Sequence, residues 1–117
     1  MAHDPVTRGP AAAVDALNER AWTLRISNPR EGVRLAAEAR AAARAIVYAR
    51  GEAVALRNSG ACRCVLLDHE AALADLADAR ERFEALGDPV GRASALNWAG
   101  NVHWRRSDFP AALAAEL

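Results

Sequence analysis

The sequence predicts an all-α protein built from antiparallel helical hairpins that stack on one another. Three observations lead to this prediction. The chain matches itself without a gap at a shift of 40 residues, so that Gly51 aligns with Gly91 and Gly60 with Gly100. Strong helix formers dominate, since alanine is abundant and all 15 basic residues are arginine. No segment alternates polar and apolar residues over the length of a strand. A repeat of this length is typical of solenoids, in which each helical unit buries its apolar face against the next.

The helices are predicted from the residues that interrupt them. Asn28 precedes Pro29, and a residue before proline avoids helical geometry, so the first helix ends there. Asn28 then caps the second helix, which we expect to end at Gly51. Asp68 is the predicted cap of the fourth helix. The six predicted helices cover residues 11–27, 29–50, 52–67, 69–86, 90–106 and 109–117.

In pairs, these helices make three hairpins, and we expect the third to be truncated. Short links within each pair require antiparallel packing. Gly60 and Gly100 fall in the middle of helices, where glycine costs about 1 kcal/mol relative to alanine. We therefore expect the partner helix to approach closely at both glycines. The predicted organisation is a flexible N-terminal segment followed by the three hairpins, over residues 1–10, 11–50, 51–88 and 89–117.

Two motifs recur in the second and third hairpins. Leu96–His103 and Leu56–Arg63 each place a large apolar residue before a small pair with glycine. Ser107–Ala112 and Leu67–Ala72 each place a polar pair before a ring-bearing side chain and small residues. These motifs resemble the helix and turn of the tetratricopeptide repeat family, although the period of 40 exceeds the family's usual 34. The resemblance implies a right-handed superhelix with a concave groove. The long repeat is similar to N-terminal segments of bacterial signalling proteins.

Composition and charge exclude several classes of partner. The formal net charge is zero, so no basic excess indicates nucleic acid or an anionic membrane surface as a partner. No apolar run is long enough to cross a membrane, and the first residues lack the pattern of a secretion signal. We therefore expect a cytoplasmic protein. Cys62 and Cys64 lie two residues apart on one predicted helix and point to different sides, so they cannot bridge each other and serve as small apolar filler.

Catalytic motifs are missing from the sequence. There is no nucleophile elbow, no phosphate-binding glycine loop and no His-Glu metal motif. The one set of residues with metal-binding chemistry is Cys62, Cys64, His69 and His103, and its spacing matches no zinc pattern. We therefore predict that the protein is not an enzyme and holds neither a cofactor nor a metal.

A binding groove is the better candidate for a functional site. Asn97, Asn101 and Arg105 are spaced four residues apart and form one stripe on a helix. Asparagine can hold the amides of an extended peptide, and arginine can pair with its carboxylates. An ordinary solvated face is the competing interpretation, and we expect Trp22 and Trp98 to pack between repeats. The predicted groove residues are Arg25, Arg57, Asn97, Asn101, Trp104 and Arg105.

These features predict a scaffold for protein–protein interaction, as the regulatory or oligomerising N-terminal part of a larger bacterial signalling protein. The alternative is a sensor domain that binds a peptide or small effector in the groove. The last predicted helix is short, and its apolar residues Phe109, Leu113 and Leu117 have no capping helix after them. We expect this apolar patch to cause self-association as a homodimer.

Overall fold

The computed structural model describes residues 9–106, and this part of the chain is helical with no strand. Consecutive helices contact each other and are joined by links of three to five residues, so each packs antiparallel to the one before it. The predicted all-α class is confirmed for this part of the chain, and the right-handed superhelix stays a prediction. The helices are α1 (Pro10–Thr23), α2 (Pro29–Ala45), α3 (Ala49–Val65), α4 (His69–Ala85) and α5 (Pro89–Arg105).

The five helices lie in two layers. The helix α3 contacts α1 and α5 as well as its neighbours in sequence, whereas α2 and α4 do not contact each other. We call α1, α3 and α5 the inner layer, and α2 and α4 the outer layer. Nine residues of α3 are buried, more than in any other described helix. The core therefore lies around α3, and side chains of the first and third inner helices can meet across it.

Four of the helices share one length and one kind of link. Each of α2 to α5 has 17 residues, and three residues separate each from the next. The middle residue of each link has a left-handed backbone, with φ of 54° at Val47, 64° at Leu67 and 66° at Gly87. The following N–H donates to a carbonyl five residues earlier at 2.8 or 2.9 Å, which is the Schellman pattern. The structural unit is thus one helix and one link, half of the repeat seen in the sequence.

The predicted end of α2 at Gly51 is wrong. The helix ends at Ala45, and Val47 reverses the chain in the left-handed conformation. Gly51 instead lies in the first turn of α3, where a Cβ atom would be 2.9 Å from Cγ1 of Val14 and 2.7 Å from the ring of Tyr48. This glycine permits close packing against α1 and forms no turn. The first two hairpins therefore cover residues 10–45 and 49–85, not 11–50 and 51–88.

The first helix also ends earlier than predicted, at Thr23 and not at Ser27. Residues 24–28 form a turn in which the Asn28 N–H donates to the carbonyl of Leu24 at 2.9 Å. Proline follows as the first residue of α2, so the reversal is complete before Asn28. The other predicted ends differ from the structure by one to three residues.

Two of the three predicted helix caps form. The Oδ1 atom of Asn28 accepts from the Glu31 N–H at 3.4 Å, and Oδ1 of Asp88 accepts from the Gly91 N–H at 3.0 Å. Asp68 stands at the corresponding position before α4, but its side chain makes no capping hydrogen bond, so that prediction is wrong. The Schellman bond of the preceding helix fixes the Asp68 backbone without help from its carboxylate.

Several predictions concern residues 1–8 and 107–117, which lie outside the described residues. They are most of the flexible N-terminal segment, the sixth helix with the truncation of the third hairpin, and the self-association residues Phe109, Leu113 and Leu117. These stay predictions.

The close approach predicted at Gly60 is confirmed. A Cβ atom there would lie 2.5 Å from Cγ of Leu76 and 3.3 Å from the carbonyl oxygen of Ala72, both on α4. The matching Gly100 has no described atom within 4 Å of its Cβ position. Its expected partner is the sixth helix, which is outside the described part of the chain.

Cys62 and Cys64 are free, buried and on different sides of α3, as predicted. Sγ of Cys62 lies 3.9 Å from the carbonyl oxygen of Ala21 and faces Gly32, while Cys64 packs with Leu76. Burial raises the pKa of the Cys62 thiol to about 11 and also raises that of Cys64. Both thiols therefore stay protonated at neutral pH and act as apolar filler.

Replacing Val47 by glycine should stabilise the protein. A β-branched residue with positive φ costs about 1–2 kcal/mol, and Val47 is 88% exposed, so few contacts are lost with its side chain. The greater entropy of glycine in the unfolded chain offsets about 0.5–1 kcal/mol. We expect the free energy of unfolding in urea to rise by up to about 1 kcal/mol. Gly87→Ala, in the equivalent link, should lower it by a similar amount. A loss of stability in Val47→Gly would contradict the left-handed link.

Gly60→Leu should destabilise the protein by about 1–3 kcal/mol, because the new side chain would overlap Leu76 and push α4 away from α3. Leucine is the better helix former, so the sign of the effect identifies packing as its cause. The control is Ala74→Leu on the exposed side of α4, for which we expect a change within about 0.5 kcal/mol. Equal melting temperatures for the two variants would show that α3 and α4 do not meet at Gly60.

Candidate functional site

Trp22 of α1 is the centre of a group of aromatic and cationic side chains in the inner layer. Trp98 of α5 meets it edge to face, with 6.2 Å between the ring centroids. The guanidinium carbons of Arg25 and Arg57 lie 3.8 and 4.1 Å from the Trp22 ring centroid, which are cation–π distances. All four side chains are partly exposed. We call these four residues the Trp–Arg cluster; it joins α1, α3 and α5 at the surface of the inner layer.

A buried pair of asparagines supports Arg57. Oδ1 of Asn58 accepts from Nε of Arg57 at 3.1 Å and from Nη2 at 2.8 Å, while Nη1 donates to Oγ of Ser94 at 3.4 Å. Nδ2 of Asn58 donates to the carbonyl oxygen of Asn18 at 2.9 Å and to its Oδ1 at 3.3 Å. Nδ2 of Asn18 in turn donates to the carbonyl oxygen of Gly51 at 3.1 Å. The two asparagines are 0% and 4% exposed, so their amides depend on these bonds.

The Trp–Arg cluster carries positive charge without a counter-charge. Neither Arg25 nor Arg57 forms an ion pair within residues 9–106. Nη1 of Arg25 donates to the carbonyl oxygen of Trp22 at 2.8 Å, and its buried Nε has no hydrogen-bond partner in the described part of the chain. Burial, and then the charge of Arg25, lowers the pKa of Arg57 to about 10. The guanidinium is still protonated at pH 7, so an anion at this site would relieve the cost of its burial.

Arginines on the outer side of the molecule are in a different situation. Oε2 of Glu52 lies 3.9, 3.5 and 3.2 Å from the guanidinium nitrogens of Arg40, Arg44 and Arg82. Arg40 and Arg44 line an open groove of about 280 Å³ between α2 and α4, which alanine side chains also line. These charges are already compensated by carboxylates. The unpaired arginines of the inner layer are therefore a local feature and not a general consequence of arginine-rich composition.

The structure brings two of the predicted groove residues together, Arg25 and Arg57. Both contact Trp22, which the sequence analysis assigned to packing between repeats. The contact of Trp22 with Trp98 confirms that packing, although neither ring is fully buried.

The four other predicted groove residues all belong to α5. Asn101 is partly exposed, and Asn97, Trp104 and Arg105 are exposed. No hydrogen bond or ion pair within residues 9–106 joins Asn97, Asn101 or Arg105 to either arginine of the cluster. By helical spacing, Asn101 lies on the side of Trp98, whereas Asn97 is turned away from it by about 100°. A shared groove that includes all six residues stays a prediction.

Sequence reasoning missed the residues that hold Arg57, namely Asn18, Asn58 and Ser94. A signal for the first two was present, because Asn18 aligns with Asn58 at the shift of 40 residues. An identical amide at equivalent positions of two inner helices indicates a polar contact between them. No comparable signal distinguishes Ser94.

Two further classes of site were tested on the described residues. Within residues 9–106, no group of three or more histidine, cysteine, aspartate or glutamate side chains is arranged to hold a metal ion. None of the five described helices is both long and apolar enough to span a membrane.

Comparison with known proteins gave no match to a protein-family model, to a curated protein or to a solved structure. The resemblance to tetratricopeptide repeats therefore rests on the sequence motifs alone.

Replacing Asn18 by alanine should destabilise the protein by about 1–3 kcal/mol, because it removes a partner from the buried amide of Asn58 and the donor to Gly51. Asn97→Ala is the control, since Asn97 is exposed and makes no hydrogen bond within the described residues; it should change stability by no more than about 0.5 kcal/mol. Thermal melts followed by circular dichroism compare the two. A harmless Asn18→Ala would mean that the asparagine pair does not form.

Proposed function

We propose that this protein is a protein-interaction domain whose inner layer binds an acidic segment of a partner protein. The observation that carries the proposal is the pair of arginines, Arg25 and Arg57, held on Trp22 without a carboxylate partner in the described part of the chain. Two cations side by side repel each other, and a carboxylate from a partner would compensate both charges.

The surroundings of these arginines favour an effective interaction. An ion pair between fully exposed side chains contributes little, because water screens it and both side chains lose freedom. Here Arg57 is partly buried and already fixed by Asn58 and Ser94, so less entropy remains to be lost on binding. The partly exposed rings of Trp22 and Trp98 offer apolar surface next to the charges, which suits a peptide better than a bare ion.

The wider setting of the proposal rests on the sequence. The resemblance supports a regulatory or oligomerising role in a larger bacterial signalling protein, and the apolar pattern at Phe109, Leu113 and Leu117 supports a homodimer. The Trp–Arg cluster would also accept the carboxylate of a small effector, the alternative left open by the sequence.

A peptide selection tests the proposal. A pooled library of short, C-terminally amidated peptides carries glutamate or glutamine at each position of an alanine background, and mass spectrometry identifies those retained by the immobilised protein. We expect retention of peptides with glutamate at one or two defined positions. Arg25→Gln and Arg57→Gln should each weaken binding of a selected peptide at least about tenfold in fluorescence anisotropy. Arg30→Gln, an exposed arginine of α2 without an ion pair in residues 9–106, is the control and should bind normally.

The outcomes separate the alternatives. Equal retention of glutamate and glutamine peptides would contradict the proposal. Full competition by a free dicarboxylate such as glutarate, at the concentration of the peptide, would favour the small-effector sensor. Asn101→Ala and Arg105→Ala test whether the interface continues along α5, and unchanged affinity in both would confine it to the Trp–Arg cluster.

A further inference from the structure

We infer that Asn58 is a positioning residue that fixes the Arg57 guanidinium through a neutral amide and so leaves its positive charge for the partner. This inference rests on the proposed function and deepens it. It assigns a reason for an amide, and not a carboxylate, at the centre of the inner layer.

The hydrogen bonds of Arg57 determine which donors remain. A guanidinium has five N–H donors, one on Nε and two on each Nη atom. Asn58 takes the Nε donor and one on Nη2, and Ser94 takes one on Nη1. One donor on each Nη atom is left without a protein partner in residues 9–106. Two neighbouring Nη donors match the two oxygens of a carboxylate, so the class of ligand is a side-chain carboxylate of the partner peptide.

The orientation of the Asn58 amide is itself fixed. Its Nδ2 atom donates to the carbonyl oxygen and Oδ1 of Asn18, so its Oδ1 atom must face Arg57. Asn58 is fully buried, and no water-exposed arrangement competes with this one. The buried asparagine pair therefore holds the arginine in one place before any partner arrives.

Other arginines of this protein are held by carboxylates. Nη1 of Arg63 lies 2.8 Å from Oδ2 of Asp75, and Nε of Arg82 lies 2.9 Å from Oδ1 of Asp78. A carboxylate at position 58 would accept the same two bonds from Arg57, but it would neutralise the charge and lose the donor to Asn18. The amide gives the geometry of an ion pair without its charge compensation.

The test places a carboxylate beside Arg57 without disturbing the asparagine pair. Ser94 contacts Nη1 of Arg57 from α5, so Ser94→Asp supplies a competing carboxylate and Ser94→Asn supplies an amide of the same size. With the glutamate peptide selected above as the probe, Ser94→Asp should bind at least about tenfold more weakly than Ser94→Asn. Equal affinity of the two variants would overturn the inference that the free charge of Arg57 serves the partner.

A second measurement tests the positioning role without a ligand. In the wild type, the Nε–H of Arg57 should give a distinct ¹H–¹⁵N signal that exchanges slowly with water, because Asn58 accepts its hydrogen bond. Asn58→Leu should abolish this protection, whereas Asn58→Asp, which still has an acceptor, should retain it and weaken peptide binding. Protection that persists in Asn58→Leu would overturn the positioning role. Should either Asn58 variant fail to fold, the Ser94 pair decides the inference.

These outcomes are distinct from a failure of the proposed function. If Arg57→Gln binds the glutamate peptide as tightly as the wild type, the proposed site is wrong, whatever the Ser94 variants do. If Arg57→Gln loses binding but Ser94→Asp and Ser94→Asn bind equally, the site stands and the role of Asn58 falls.

Discussion

The constant length of the helix-and-link unit is the constraint on which the rest of this structure depends. Each of α2 to α5 has 17 residues and each link between them has three, with a left-handed residue in the middle. Since the unit does not vary, equivalent positions of the inner helices come to the same level in the layer. Asn18, Asn58 and Trp98 are such positions, 40 residues apart in turn. Hydrogen bonds and ring contacts between helices can therefore form without local distortion.

Small residues allow these units to approach closely. The carbonyl of Ala72 on α4 would lie 3.3 Å from a Cβ atom at Gly60, and the carbonyl of Ala21 on α1 would lie 3.3 Å from one at Gly32. Such distances leave no room for a larger side chain. Buried alanines fill much of the remaining core, which is shallow because few large side chains are fully buried. The alanine-rich composition thus serves both helix formation and close helix packing.

The Trp–Arg cluster departs from the economy of the rest of the surface. Most other arginines near the core are compensated by carboxylates, as Arg63 is by Asp75. Arg57 is partly buried and has only amide, hydroxyl and aromatic neighbours, an arrangement that stabilises its geometry better than its charge. Perturbed electrostatics of this kind concentrate at functional sites, which is why the cluster carries the proposed function.

The sequence by itself determined the all-α class, the positions of α3 to α5 within three residues, and the small contact at Gly60. Helix propensity, proline and repeat spacing act locally or through simple periodicity, so they can be read from one chain. The end of α2 could not, because the left-handed link forms at Val47, a residue with no preference for that conformation, and Gly51 was instead needed for packing. Only the tertiary structure decided that Arg25 and Arg57 meet on Trp22. That contact joins side chains from different helices, and its geometry depends on how the helices pack, which no pattern along the chain specifies.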